Sequence, residues 1–69
     1  MGYDYKNRKI SVGKQVRIER DIPSPDGMLY KHTIVKVDEL GFPDKDMRVI
    51  DSLGKLWYVD YEDVSVGFL

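Results

Sequence analysis

A chain of 69 residues without cysteine excludes a disulfide framework and a thiolate zinc site, and holds one domain whose small core supplies about 3–5 kcal/mol of net stability. No run of about 18 apolar residues is present, which excludes a helix across a membrane. The net charge of −1 conceals a split: residues 1–20 carry six bases (Lys6, Arg8, Lys9, Lys14, Arg17, Arg20) against two acids (Asp4, Glu19), whereas residues 21–69 carry five bases against ten acids.

Residues 1–9, "MGYDYKNRK", have charge but no apolar segment behind it, so they read as a flexible basic arm rather than a signal peptide. Lys6 stands where a myristoylation signal needs Ser or Thr. A single domain is expected over 10–69. Its first strand is expected over 15–20, where Val16 and Ile18 alternate with Gln15, Arg17 and Glu19. Ile10 and Val12 extend that parity upstream across a bend at Gly13. Pro23, Pro25 and the Asp26-Gly27 pair predict a loop for "DIPSPDGM". A second strand is expected over 29–39, with a β-branched centre at 33–37. Leu29, Thr33, Val35 and Val37 would share one face, and Tyr30, His32, Ile34 and Lys36 the other. Ile34 beside Val35 requires two-sided burial or a bulge.

Gly41 and Pro43 end that pattern, and residues 47–52 predict a third strand. Leu53-Gly54 predicts a tight connection, with Gly54 suited to positive φ. Residues 55–59 predict the fourth strand, 60–63 a single 3₁₀ turn, and 64–68 the fifth strand, with Val64, Val66 and Phe68 on one face.

No window of a dozen residues repeats apolar positions at the helical period, so the chain reads as all-β. Five short antiparallel strands can curl into a partly open barrel that hides sheet edges around one core. The layout from Val12 to Phe68, with one 3₁₀ turn before the last strand, resembles the SH3-like barrel. Within it, "GKQVRI" with "TIVKV" resembles the KOW-type subgroup, although the glycine that precedes the second strand in that subgroup stands early, at Gly27. "WYVDYEDV" resembles the end of many small bacterial and phage SH3-like proteins. The resemblance implies a binding domain, and for KOW-type members contact with RNA or the transcription machinery.

Two groups of acids invite a test for catalysis: Asp60, Glu62 and Asp63, and Asp44, Asp46 and Asp51. Acid–base chemistry needs one buried carboxyl with a raised pKa, and a chain this short has little room for a deep pocket. Ser11, Ser24, Ser52 and Ser65 have no histidine nearby in sequence, and His32, the one histidine, reads as a surface or rim residue. "DKDM" lacks the remainder of a calcium loop, and no glycine-rich phosphate loop exists. No catalytic residue, metal or cofactor is expected, and the chain is not expected to be an enzyme. Residues 60–63 read as a solvated acidic turn, with Glu62 or Asp63 capping it by accepting a backbone N–H.

Two binding readings follow. A protein partner would meet the aromatics Tyr30, Trp57, Tyr58 and Tyr61, with Asp60, Glu62 and Asp63 facing a basic ligand residue. Proline-rich ligands are not expected, because the "YDY" of "GYDYKNRK" lies ahead of the first strand and no tryptophan pair opens the fourth. In "LWYV", either Trp57 and Val59 face the core or Leu56 and Tyr58 do. The alternative partner is RNA or single-stranded DNA, met by Tyr3, Tyr5, Lys6, Arg8, Lys9, Lys14, Arg17 and Arg20, since bases stack on rings and cations track phosphates. A pI of 5.7 sits far below the value of about 9 usual for nucleic-acid domains. The charge split also allows the two halves of the chain to pair with each other across the fold. The expectation is a cytoplasmic, monomeric binding module that docks on a cellular protein, or on a host protein if phage-encoded.

Overall fold

The computed structural model describes residues 2–3 and 9–66. It is all-β, and the elements follow the alternation of the sequence. Strands β1 (Gly2–Tyr3) and β2 (Lys9–Ile10) pair with each other within and beside the basic arm. Then come β3 (Gln15–Ile18), β4 (Ile22–Ser24), β5 (Gly27–Leu29), β6 (Ile34–Leu40), β7 (Met47–Ile50), β8 (Leu56–Val59), a 3₁₀ turn (Tyr61–Asp63) and β9 (Val64–Ser65). Five strands form one antiparallel sheet in the order β8-β7-β6-β3-β9. The sheet is open: β8 and β9 are its edges. Hairpin β4–β5 is separate and packs over it.

Alternate residues of β3, β7, β8 and the first half of β6 turn into one core. Val16 and Ile18 of β3, Val35 and Val37 of β6, Met47 and Val49 of β7, and Trp57 and Val59 of β8 are buried. Ile10, Val64 and Val66 close it from the two ends of the chain, and Ile22 and Leu29, partners across the β4–β5 hairpin, cover it from the side. Each fully buried side chain of this kind contributes about 1.5–3 kcal/mol over its exposed state.

The structure corrects the expected elements at several points. Val12 does not continue the core parity of Ile10: it is exposed in a turn where Lys14 N–H donates to the Ser11 carbonyl (3.1 Å). "DIPSPDGM" is a hairpin rather than a loop. Pro23 is tolerated because this two-stranded ladder consists of edges. Ser24 holds the turn, its Oγ donating to the Gly27 carbonyl (3.1 Å) and accepting from Asp26 N–H (3.3 Å).

The expected second strand is interrupted. Leu29 belongs to β5, a turn follows, and β6 begins at Ile34. The turn closes through Thr33 N–H donating to the Tyr30 carbonyl (3.2 Å) and is held by neighbouring segments: His32 N–H donates to the Ile18 carbonyl (2.6 Å) and Lys31 N–H to Asp21 Oδ1 (2.8 Å), while His32 adopts φ +78°. The irregularity falls between Val37 and Glu39, not at Ile34 and Val35. Ile34 simply faces outward. β7 stops at Ile50 because Asp51 starts the next turn, its Oδ1 accepting from Leu53 N–H (2.9 Å) and Lys55 N–H (3.0 Å). Gly54 has the expected positive φ, +84°. β9 ends at Ser65, and Phe68 lies outside the described residues.

Candidate binding surface

The register of β8 settles which of its faces is core. Val49 stands opposite Trp57 and Met47 opposite Val59, all four buried. Leu56 and Tyr58 point outward, 44% and 48% exposed. Trp57, 7% exposed, is therefore a core residue and not the protruding anchor that the other parity allowed. Its indole N–H donates to Asp51 Oδ2 (3.0 Å), which satisfies the polar edge that makes Trp hard to bury. These bonds, the indole first, hold the Asp51 carboxyl below its ordinary pKa. Lys55 lies over the Trp57 ring, Nζ 4.3 Å from its centre, and donates to the Asp26 carbonyl (3.2 Å). That contact ties β8 to the β4–β5 hairpin.

Between the hairpin and β8 runs a groove of about 310 Å³ walled by Ile22, Pro23 and Pro25 on one side and by Leu56, Trp57 and Tyr58 on the other. A second hollow of about 270 Å³ is formed by Phe42, Pro43, Asp44, Lys45 and Tyr58. Tyr58 lines both. Its ring meets Phe42 edge to face, centroids 5.3 Å apart. Arg48, opposite Tyr58 on β7, lies with its guanidinium 5.3 Å from the Phe42 ring centre and donates from Nε to Asp38 Oδ2 (2.7 Å). Hydrogen bonding with Tyr58, then with Asp38, raises the Arg48 pKa and keeps it charged. A third, shallow hollow of about 400 Å³ lies on the outer face of the sheet over Gln15, Ile34, Lys36 and Ile50.

The acids of the 3₁₀ turn divide by position. Glu62 is exposed. Asp60 is half-buried; its Oδ1 accepts from Asp46 N–H (3.2 Å) and its Oδ2 lies 3.6 Å from Lys45 Nζ. Asp63 is 1% exposed, which corrects the reading of a wholly solvated turn. Its Oδ1 accepts from Arg20 Nε, and its Oδ2 accepts from Asp60 N–H (3.0 Å), closing the expected cap. Tyr61 is half-buried against the core, and its N–H donates to Asp46 Oδ2 (2.9 Å). Tyr30 is exposed in the turn before β6 and lines none of these three hollows.

Of the candidate cations with described side chains, Lys14, Arg17 and Arg20, two are engaged by carboxylates. Arg17 Nε donates to Glu19 Oε2 (2.8 Å), and Arg20 is paired with Asp63 across the fold. The second pair joins the basic and acidic halves of the chain. Ser65 Oγ donates to Glu19 as well. Lys14 is exposed in its turn. Tyr3 lies in β1 and Lys9 in β2, while Tyr5, Lys6 and Arg8 lie outside the described residues. Among the described residues no group of three His, Cys, Asp or Glu side chains could hold a metal ion, and no helix is long and apolar enough to cross a membrane.

Sequence reasoning missed Leu56, Phe42 and the three prolines, Pro23, Pro25 and Pro43, as parts of the surface. Leu56 was recoverable, since it shares the parity of Tyr58. Phe42 and Pro23 gave no signal, because only the folded chain brings their loops to β8. No protein-family model, curated protein or solved structure matches the chain.

Proposed function

We propose that this chain is a non-enzymatic binding module of the SH3-like barrel type, working in the cytoplasm by docking on another protein. The SH3-like reading is supported by the order β8-β7-β6-β3-β9, by a hairpin between the first two strands of that sheet, and by a 3₁₀ turn between the last two. The observation that carries the docking reading is Tyr58: nearly half exposed, it stands between two adjoining apolar hollows with Leu56 beside it. Large aromatics set in such surfaces dominate interface energetics. Asp60 and Glu62, one strand end away, offer negative charge to a basic residue of the partner. The resemblance to small phage barrels supports a host protein as the target. Nucleic acid is the weaker reading, because Arg17 and Arg20 are engaged by carboxylates.

Linear 12-residue peptides selected from a phage-displayed random library on the immobilised chain are the test. By ¹⁵N NMR they are expected to shift the amides of 56–58 and 42–45. Tyr58→Ala is expected to weaken them about thirty-fold with unchanged far-UV circular dichroism. A library that yields no binder, while a short oligouridine shifts Lys14, Arg17 and Arg20 with a steep salt dependence, overturns the reading in favour of nucleic acid.

A further inference from the structure

The hydrogen-bonding phase of β8 specifies how a partner would dock. Asp51 N–H donates to the Lys55 carbonyl (3.0 Å), and these residues continue the β7–β8 register. In an antiparallel ladder, bonded pairs alternate with non-bonded ones. Val49 with Trp57 and Met47 with Val59 are therefore the bonded pairs. Ile50 with Leu56 and Arg48 with Tyr58 are not, and Ile50 and Arg48 turn their backbone groups to the other side, where β6 pairs with β7. The same phase leaves the N–H and C=O of Leu56 and Tyr58 pointing away from the sheet. β8 is the edge, and among the described residues no strand pairs with that side.

Four aligned backbone groups thus border the groove under the β4–β5 hairpin. The strand itself carries no blocking device: no proline interrupts "LWYV", no bulge breaks the β7–β8 register, and no charge occurs within its four residues. The facing wall cannot supply the missing bonds in full, because Pro23 has no N–H.

We propose that β8 receives an extended segment of another polypeptide as an added strand, bonded to the backbone of Leu56 and Tyr58. The inference rests on the docking function proposed above and states its geometry. The added strand would run about 4.8 Å from β8. Its residues opposite Leu56 and Tyr58 share the outer face with those side chains. The residue between them, opposite Trp57, turns toward Ile22 and Pro23 and fills the groove, so an apolar side chain is required there. Main-chain bonds supply affinity and alternate side chains supply specificity, as in other strand additions.

The probe is the strongest 12-residue peptide from the same random library. In the free chain, the amides of Leu56 and Tyr58 should exchange with solvent much faster than those of Trp57 and Val59. With the peptide bound, their exchange should slow at least about tenfold. N-methylation along the peptide should weaken binding with a period of two residues, about tenfold where the amide bonds to β8 and little at the positions between. A peptide that binds and is lost in Tyr58→Ala, yet leaves Leu56 and Tyr58 exchange unchanged and shows no two-residue period, overturns strand addition while preserving the docking function. Absence of any selected peptide overturns both.

Discussion

Asp63→Ala removes a carboxylate that is 1% exposed and joins three parts of the chain. Its Oδ2 caps the 3₁₀ turn through Asp60 N–H (3.0 Å), its Oδ1 holds Arg20, and its own backbone carbonyl accepts from Glu19 N–H (2.8 Å) at the mouth of β3. The substitution leaves that last bond in place. Loss of the cap costs about 1 kcal/mol, and the void beside Val64 together with the lost charge-assisted bond brings the expected total to about 2 kcal/mol. Arg20, largely exposed, turns to water, so no buried charge is stranded. Set against about 3–5 kcal/mol for a domain this small, the loss raises the unfolded population about thirty-fold. In urea, followed by the fluorescence of Trp57, the midpoint should fall by about 2 M, taking a slope of about 1 kcal/mol/M for a small protein. Asp63→Asn keeps an acceptor for Asp60 N–H and should recover part of the loss. A midpoint for Asp63→Ala within about 0.5 M of the native value would refute the reasoning and show that the cap and the Arg20 bond contribute little to stability.

Asp51 gives the stability a dependence on pH. Its folded pKa lies below the ordinary value of 3.8 through the bonds from Trp57, Lys55 and Leu53, so the folded state binds fewer protons than the unfolded one. Its contribution is present above that value and is lost as pH falls through the lower folded pKa; urea midpoints at pH 5 and pH 3 should differ less in Asp51→Asn than in the native chain. Gly54→Ala meets no atom within 4 Å but must hold φ +84°, and should cost about 1 kcal/mol by thermal melt. Ile18→Ala empties a fully buried site and should cost about 2–5 kcal/mol, enough to collapse the dispersion of the NMR spectrum. Val12→Ala, although it carries the same parity in sequence, should change stability by less than about 0.5 kcal/mol, because Val12 is exposed.

The strand segments were legible wherever alternation and punctuation agreed. Val16 and Ile18, Val35 and Val37, and the Gly54 turn all followed from period two and from a residue free to adopt positive φ. The β4–β5 hairpin was not legible, because prolines signal a loop in sequence whereas an edge strand accommodates them once it packs on a core. The break at residues 30–33 was hidden for a related reason: β propensity continues through Thr33, and besides the local Thr33-to-Tyr30 bond the turn is held by the Ile18 carbonyl and the Asp21 carboxylate, both distant in sequence.

The run from Trp57 to Asp63 divides the two kinds of information most clearly. Sequence by itself determined that residues 56–59 alternate, that a 3₁₀ turn follows, and that Tyr58 and Leu56 share a face, since these depend on local geometry alone. It could not decide which face is core, or that Asp63 is buried while Glu62 is exposed. Those outcomes depend on what lies opposite: Val49 and Met47 across the ladder for Trp57 and Val59, and Arg20 from the far end of the chain for Asp63. Burial is a property of pairs of elements, and only the tertiary structure supplies the second member of each pair.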